Sequence, residues 1–138
     1  MPIAYKIYDS YKLCYSVWTG KVSPDEVLSF HHNMYQNPKW KPGFNEVVDV
    51  RNIELKSANI DDLFTLSKTS VDYTHGKCES FKTAVVVTDI VIEGLAETYK
   101  TLLLGSDSPE ELEVFLQLEE ALDWLGLDQN SDISPPGN

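Results

Sequence analysis

The sequence predicts a single α/β domain with a mostly parallel five-stranded sheet and an antiparallel hairpin at its N-terminal edge. Three observations predict this. Short runs rich in Val, Ile, Tyr and Phe alternate with longer amphipathic runs, the pattern of strand–helix–strand units. One run, Ala84-Val85-Val86-Val87, is continuously apolar, as in a strand covered on both faces. The chain has 138 residues, the size of one domain, and can bury roughly two-thirds of its unfolded surface.

Each element has its own signal. Residues 3–8 and 13–19 are β-type runs, and Asp9-Ser10-Tyr11-Lys12 between them reads as a hairpin turn. Ser23-Pro24-Asp25-Glu26 starts a helix: Ser is the N-cap, Pro takes the first helical position, and Glu follows three residues after the cap. Val27, Phe30, His31 and Met34 share one face of it, and Pro38 with Pro42-Gly43 stops it. Residues 44–50 read as a strand built on Val47, Val48 and Val50. Ser57 or Asn59 caps the next helix, whose stripe is Ile60, Leu63, Phe64, Ser67 and Val71. A strand at 83–88 follows. A helix at about 91–104 comes next, with Ile92, Leu95, Tyr99 and Leu102 inward.

The last segment has two readings. Residues 112–115 form a strand followed by a helix over 118–127, or the capping box Ser108-Pro109-Glu110-Glu111 opens one long helix. Strand then helix is favoured, because the preceding helix must return to the sheet. The order is then β-β-α-β-α-β-α-β-α. The domain spans 1–127. Residues 128–138, with Pro135-Pro136-Gly137 and almost no apolar side chain, read as a flexible acidic tail.

Composition narrows the function classes. The net charge is −11, and it is uneven. Residues 1–88 carry ten acidic and ten basic side chains, whereas residues 89–128 carry eleven acids against Lys100 alone. Phosphate repulsion makes that third a poor surface for nucleic acid or an anionic membrane. It reads as a solubilising face or as a docking face for a basic protein partner. No apolar run reaches the ~20 residues that span a bilayer. The start of the chain lacks the apolar stretch of a secretory signal, and Cys14 and Cys78 make no disulfide framework. A cytoplasmic location is the expectation.

The segment 38–43 (Pro-Lys-Trp-Lys-Pro-Gly) precedes Val47-Val48-Asp49-Val50-Arg51. With the 84–87 strand, and with Phe115 followed by Glu120-Ala121-Leu122-Asp123-Trp124-Leu125, it resembles the STAS family. The likeness is to its SpoIIAA-like branch, which is grouped with Sec14-type lipid-binding domains. The resemblance spans most of residues 3–127. It implies a non-enzymatic module without a cofactor, binding a protein partner or a small ligand. In the anti-sigma-factor-antagonist branch, a kinase phosphorylates a serine at the start of the helix after the central strand, within Asp, Ser/Thr, Ser/Thr, Gly, Leu/Ile. The nearest stretch here is Lys56-Ser57-Ala58-Asn59-Ile60, where Ala58 takes the phosphorylated position and Lys56 and Asn59 replace Asp and Gly. Ser57 reads more simply as an N-cap hydroxyl than as a phosphorylation site.

The strongest candidate site is Asp49, Arg51 and Asn52, expected at the carboxyl end of a central strand, with Thr88 and Asp89 ending the neighbouring strand. Ligands of open α/β sheets bind at that end. The helix start at Ser57 and Asn59 would point free N–H groups the same way, which favours an anionic or lipid-like head group. The plainer reading is a structural Asp49–Arg51 ion pair. His31 and His32 point about 100° apart on a helix, so they do not chelate one metal together. His75 and Cys78 lack the further ligands zinc needs. Cys14 reads as a small core residue, Trp40 as a cover for an edge or pocket, and Trp124 as a core plug. Glu119-Glu120 and Asp61-Asp62 complement helix dipoles. The opening hairpin offers an edge strand that a homodimer would cover.

Overall fold

The computed structural model describes residues 2–54, 80–105, 108–128 and 133–136. Five strands form one sheet: β1 (Ile3–Tyr8), β2 (Leu13–Lys21), β3 (Asn45–Glu54), β4 (Phe81–Val86) and β5 (Glu110–Phe115), in spatial order β1-β2-β3-β4-β5. β1 and β2 pair antiparallel, and every later pair is parallel. Among the described residues the α-helices are α1 (Pro24–Gln36), α2 (Ile90–Leu104) and α3 (Leu118–Trp124). The mixed α/β architecture is the one expected. The helix expected from Ser57 or Asn59 lies outside the described residues.

The 84–87 run is the spine of this arrangement. Its strand lies between β3 and β5, and Ala84, Val86 and Val87 are fully buried, with Val85 at 8% exposure. Alternating residues feed both faces of the sheet. On one face, Tyr8, Leu13, Tyr15, Val47, Ala84 and Val86 pack under Ala121 and Leu122 of α3. On the other, α1 covers Ile3, Ile7 and Cys14, while α2 covers Val50, Val85, Val87 and Leu112. Right-handed crossovers that step across a sheet in one direction put α1 and α2 on the same face.

α1 begins as its sequence predicts. The Glu26 amide donates to Ser23 Oγ at 3.2 Å, and the Ser23 amide donates to Glu26 Oε1 at 3.2 Å. Ser23→Ala removes the side-chain half of this box, the bond from the Glu26 amide, and is expected to cost about 1 kcal/mol. A shallower denaturation midpoint at unchanged m-value checks it.

The expected hairpin turn joins β1 to β2 as a single 3-10 turn, Asp9–Tyr11, closed by Lys12 in the left-handed region (φ 52). Three local readings are corrected. β2 continues through Gly20 to Lys21, because it keeps parallel pairing with residues 52–54 of β3. The inward stripe of α2 is Ile92, Ala96, Tyr99 and Leu103; Leu95 and Leu102 are half-exposed. An i, i+4, i+7, i+11 stripe one position round the helix won over the expected one. Finally, α3 stops at Trp124, three residues early. Gly126 (φ 77) donates to the Asp123 carbonyl at 3.0 Å, and the Leu127 amide donates to the Leu122 carbonyl at 2.9 Å. This pair of bonds is a Schellman stop, which needs glycine at the left-handed position. The end of the chain is strand then helix, as favoured.

Of the expected tail, residues 133–136 lie against the sheet. The Tyr8 hydroxyl donates to the Ser134 carbonyl and accepts from the Ser134 amide at 3.1 Å, while Ile133 packs on the α3-side cluster. No described helix is long and apolar enough to cross a membrane.

Candidate functional site

β3 runs to Glu54, so Arg51 and Asn52 lie inside the strand, not beyond its end. The cause is β2, whose extra residues pair with this stretch: Thr19 faces Asn52 across a bulge after Val17. Asp49 shares the α3-side face with Val47. Asp49 is 5% exposed and among the described residues accepts three bonds, all from Arg51: the backbone amide at 3.1 Å, Nε at 3.0 Å and a terminal nitrogen at 2.7 Å. The paired reading of these two residues is the geometry found. The side-on, two-point contact orients the guanidinium, whose side chain keeps 34% of its surface exposed. The hydrogen bond to Asp49 holds Arg51 above its ordinary range, and Asp49, Tyr15 and Glu119 add to the effect electrostatically.

The neighbours differ from expectation. β4 ends at Val86, and Asp89 belongs to the next element: its carboxylate caps α2, accepting from the Val91 amide at 2.7 Å. That carboxylate fills the α2 N-terminus. Thr88 remains near Arg51, its hydroxyl donating to the Arg51 carbonyl at 3.3 Å. Asn52 is exposed. Ser57 and Asn59 lie outside the described residues, so the structure brings together Asp49 and Arg51 of the five.

Two features of this end were missed from sequence. Ile90, Val91 and Leu116 are 82%, 64% and 54% exposed. They follow directly on the carboxyl ends of β4 and β5, where the Val87 amide bonds the Phe115 carbonyl at 2.9 Å. Tyr15 is the second. It is 1% exposed, and its hydroxyl has no hydrogen-bond partner among the described residues. Burial first, then Asp49, raises its phenol to about 12. Period-2 alternation places Tyr15 on the Val47 face, but no motif marks its hydroxyl.

Other candidates resolve into structure. Cys14 is 1% exposed, and burial, then the Glu46 carboxylate across from it, pushes its thiol well above the ordinary range. The thiolate that nucleophilic work requires is suppressed there. His31 stacks between Phe30 and Tyr35 with its Nδ1 buried and unpartnered, and burial lowers it to about 4. Trp40 packs edge-on against Tyr35, at 4.9 Å. Trp124 lies against Phe115 with Lys82 over its ring. Among the described residues no group of three or more His, Cys, Asp or Glu could hold a metal. A shallow depression lined by Ile7, Tyr8, Asp9, Ser10 and Lys39 sits at the amino end of β2, away from Arg51.

No family model matches the chain, and no curated protein does. Among solved structures it is similar to an uncharacterised protein of the DUF3478 family with a SpoIIAA-like fold, from Shewanella loihica PV-4. The TM-score is 0.58 and the identity 17%, over 89% of this chain and 93% of that one. A five-stranded sheet with one antiparallel edge, parallel crossovers and a short closing helix is therefore, in this chain too, the SpoIIAA-like fold.

Proposed function

We propose that this chain is a non-enzymatic binding module. It takes a small amphipathic molecule with an anionic head, lipid-like in kind, at the carboxyl edge of its sheet. One observation carries the reading: among the described residues, three of the four exposed large hydrophobics, Ile90, Val91 and Leu116, come after the carboxyl ends of β4 and β5, and the part-exposed Arg51 lies toward the same end of the parallel β3. Large apolar side chains and a fixed cation at one end of a sheet fit a ligand with a greasy part and an oxyanion. Asp49 and Glu119 offset the Arg51 charge, so the apolar contact supplies most of the affinity.

Mass spectrometry of the protein released under denaturing conditions, with thermal shifts against decanoate and decyl phosphate, tests this. A bound amphiphile, or a rise in Tm of several degrees with either probe, is the expected result. Val91→Asp and Arg51→Ala should each weaken the probe about tenfold. No released ligand and no shift with either probe would sink the reading.

A second reading has its own support. Glu111, Glu119, Glu120 and Asp123 are all exposed on β5 and α3, acidic positions a basic protein would meet in an interaction switch. A pull-down whose captured basic partner is lost with rising salt supports it; capture indifferent to salt removes it.

A further inference from the structure

β1 is one margin of the sheet, and its backbone is ordered to pair a second time. The Thr19 amide donates to the Pro2 carbonyl at 2.8 Å, so these two residues form a bonded pair of the antiparallel ladder. Bonded and unbonded pairs alternate along such a ladder, which turns the amides and carbonyls of Ala4, Lys6 and Tyr8 toward β2. Those of Ile3, Tyr5 and Ile7 point the other way. Among the described residues no strand lies beyond β1. Three backbone donors and three acceptors therefore stand in a row at this margin.

Side chains hold that row in place. Ile3 and Ile7 are 7% and 8% exposed and pack with Val27, Phe30 and Met34 of α1. The Tyr5 ring meets Phe30 edge-on at 5.5 Å, and its hydroxyl accepts from Asn37 Nδ2 at 3.2 Å. Pairing here costs little further ordering. Devices that blunt an edge are few. The β1–β2 register runs unbroken from Ile3 to Tyr8, proline stands only ahead of the strand, and Lys6 is its single charge. The Lys6 ammonium is drawn over the ring of Tyr8, 4.9 Å from its centre.

We infer that β1 pairs antiparallel with β1 of a second copy, centred on Tyr5, forming a two-fold dimer whose sheet runs across both chains. The axis at Tyr5 sets Ile3 of one copy opposite Ile7 of the other, and Tyr5 opposite its own mate. Every outward amide of both copies then finds an outward carbonyl. Centring on Lys6 would leave some of these groups unpaired and set two ammonium groups face to face. In the Tyr5 register each Lys6 faces Ala4 instead. The charge distribution favours this margin. Residues 1–88 balance ten acids with ten bases, whereas the acidic stretch 89–128 is carried by β5 and by the helices packed on β4 and β5. Four strand spacings separate β1 from β5, about 19 Å, well beyond the Debye length of physiological salt.

Sedimentation of the full-length protein from about 1 μM to about 0.5 mM, with amide hydrogen exchange at both ends of that range, tests this. A dimer with a Kd on the order of 10 μM is expected, the weak class that one pair of strands supports. On dimerisation the Ile3, Tyr5 and Ile7 amides should exchange about tenfold more slowly, while those of Ala4, Lys6 and Tyr8 stay protected at both concentrations. Ala4→Glu sets a carboxylate opposite each Lys6 and should tighten association about fivefold, whereas Ala4→Lys should weaken it about fivefold. Adding Lys6→Glu to Ala4→Lys should restore it. A chain that stays monomeric, or a dimer whose outward amides exchange freely, overturns the pairing. Outward amides already slowed in the monomer would show that another part of this chain covers the margin, and overturn it as well. Association weakened alike by both Ala4 variants overturns the Tyr5 register. None of these results bears on the ligand reading above.

Discussion

Met34→Ala is expected to cost about 2–5 kcal/mol, a large share of the stability of a domain this size. Met34 is fully buried on α1, in one cluster with Val27, Phe30, Phe44, Cys14 and the β1 residues Ile3 and Ile7. Truncation removes three heavy atoms from a site walled by a helix and two strands. These walls are tied by the capping box and by β pairing, so they collapse only partly into the space. Denaturant unfolding reads the loss directly. A cost below about 1 kcal/mol would mean that α1 is loosely seated, and the assignment of this face as core would fail with it.

The second large effect is electrostatic. Glu46 lies inside β3, 4% exposed, on the face covered by α1 and α2. Its register partners are Cys14 on one side and Thr83 on the other, and Thr83 donates to Glu110. Burial first, and the Glu110 carboxylate second, push Glu46 well above its ordinary value of 4.5. A carboxyl raised in the folded state contributes stability that is complete below its unfolded value. That contribution is lost as pH climbs through the folded one. Glu46→Gln keeps the shape without the charge. It should leave Tm unchanged near pH 4 and raise it by about 4 °C or more at pH 8, the shift that about 1 kcal/mol produces at this size. His31 acts on the other limb. Held near 4 against an ordinary 6.5, it withdraws stability as pH falls through that interval. The two groups together bracket a maximum in mildly acidic to neutral solution. Equal loss of Tm in Glu46→Gln at both pH values would show a hydrogen-bonding role instead.

Much of the fold was legible because it follows from period and punctuation. The continuous run 84–87 marks a strand covered twice, and Ser23-Pro24 with Glu26 opens a helix wherever the chain places it. The need to return to the sheet decided residues 110–115, where spacing alone was neutral. Boundaries were less legible, since β3 outlasts its own valines only because β2 pairs with it. The candidate site was half legible. Asp49 and Arg51 two apart on a strand share a face, which is why they meet. The buried carboxyl of Glu46 and the unbonded phenol of Tyr15 depend on which helices cover each face, and alternation in one strand does not carry that. The rim of Ile90, Val91 and Leu116 was hidden for the opposite reason: an apolar residue at the start of a helix reads as core until packing shows it left out.

The outer strand β5 carries Glu110, Glu111 and Glu113, with Lys100 paired to the last of them at 3.0 Å. Were two molecules to join their sheets along this margin, rows of carboxylates would be forced into register, which disfavours open-ended stacking. Any continuous sheet shared between copies would therefore run through β1 at the opposite margin, giving a closed pair and not a fibre.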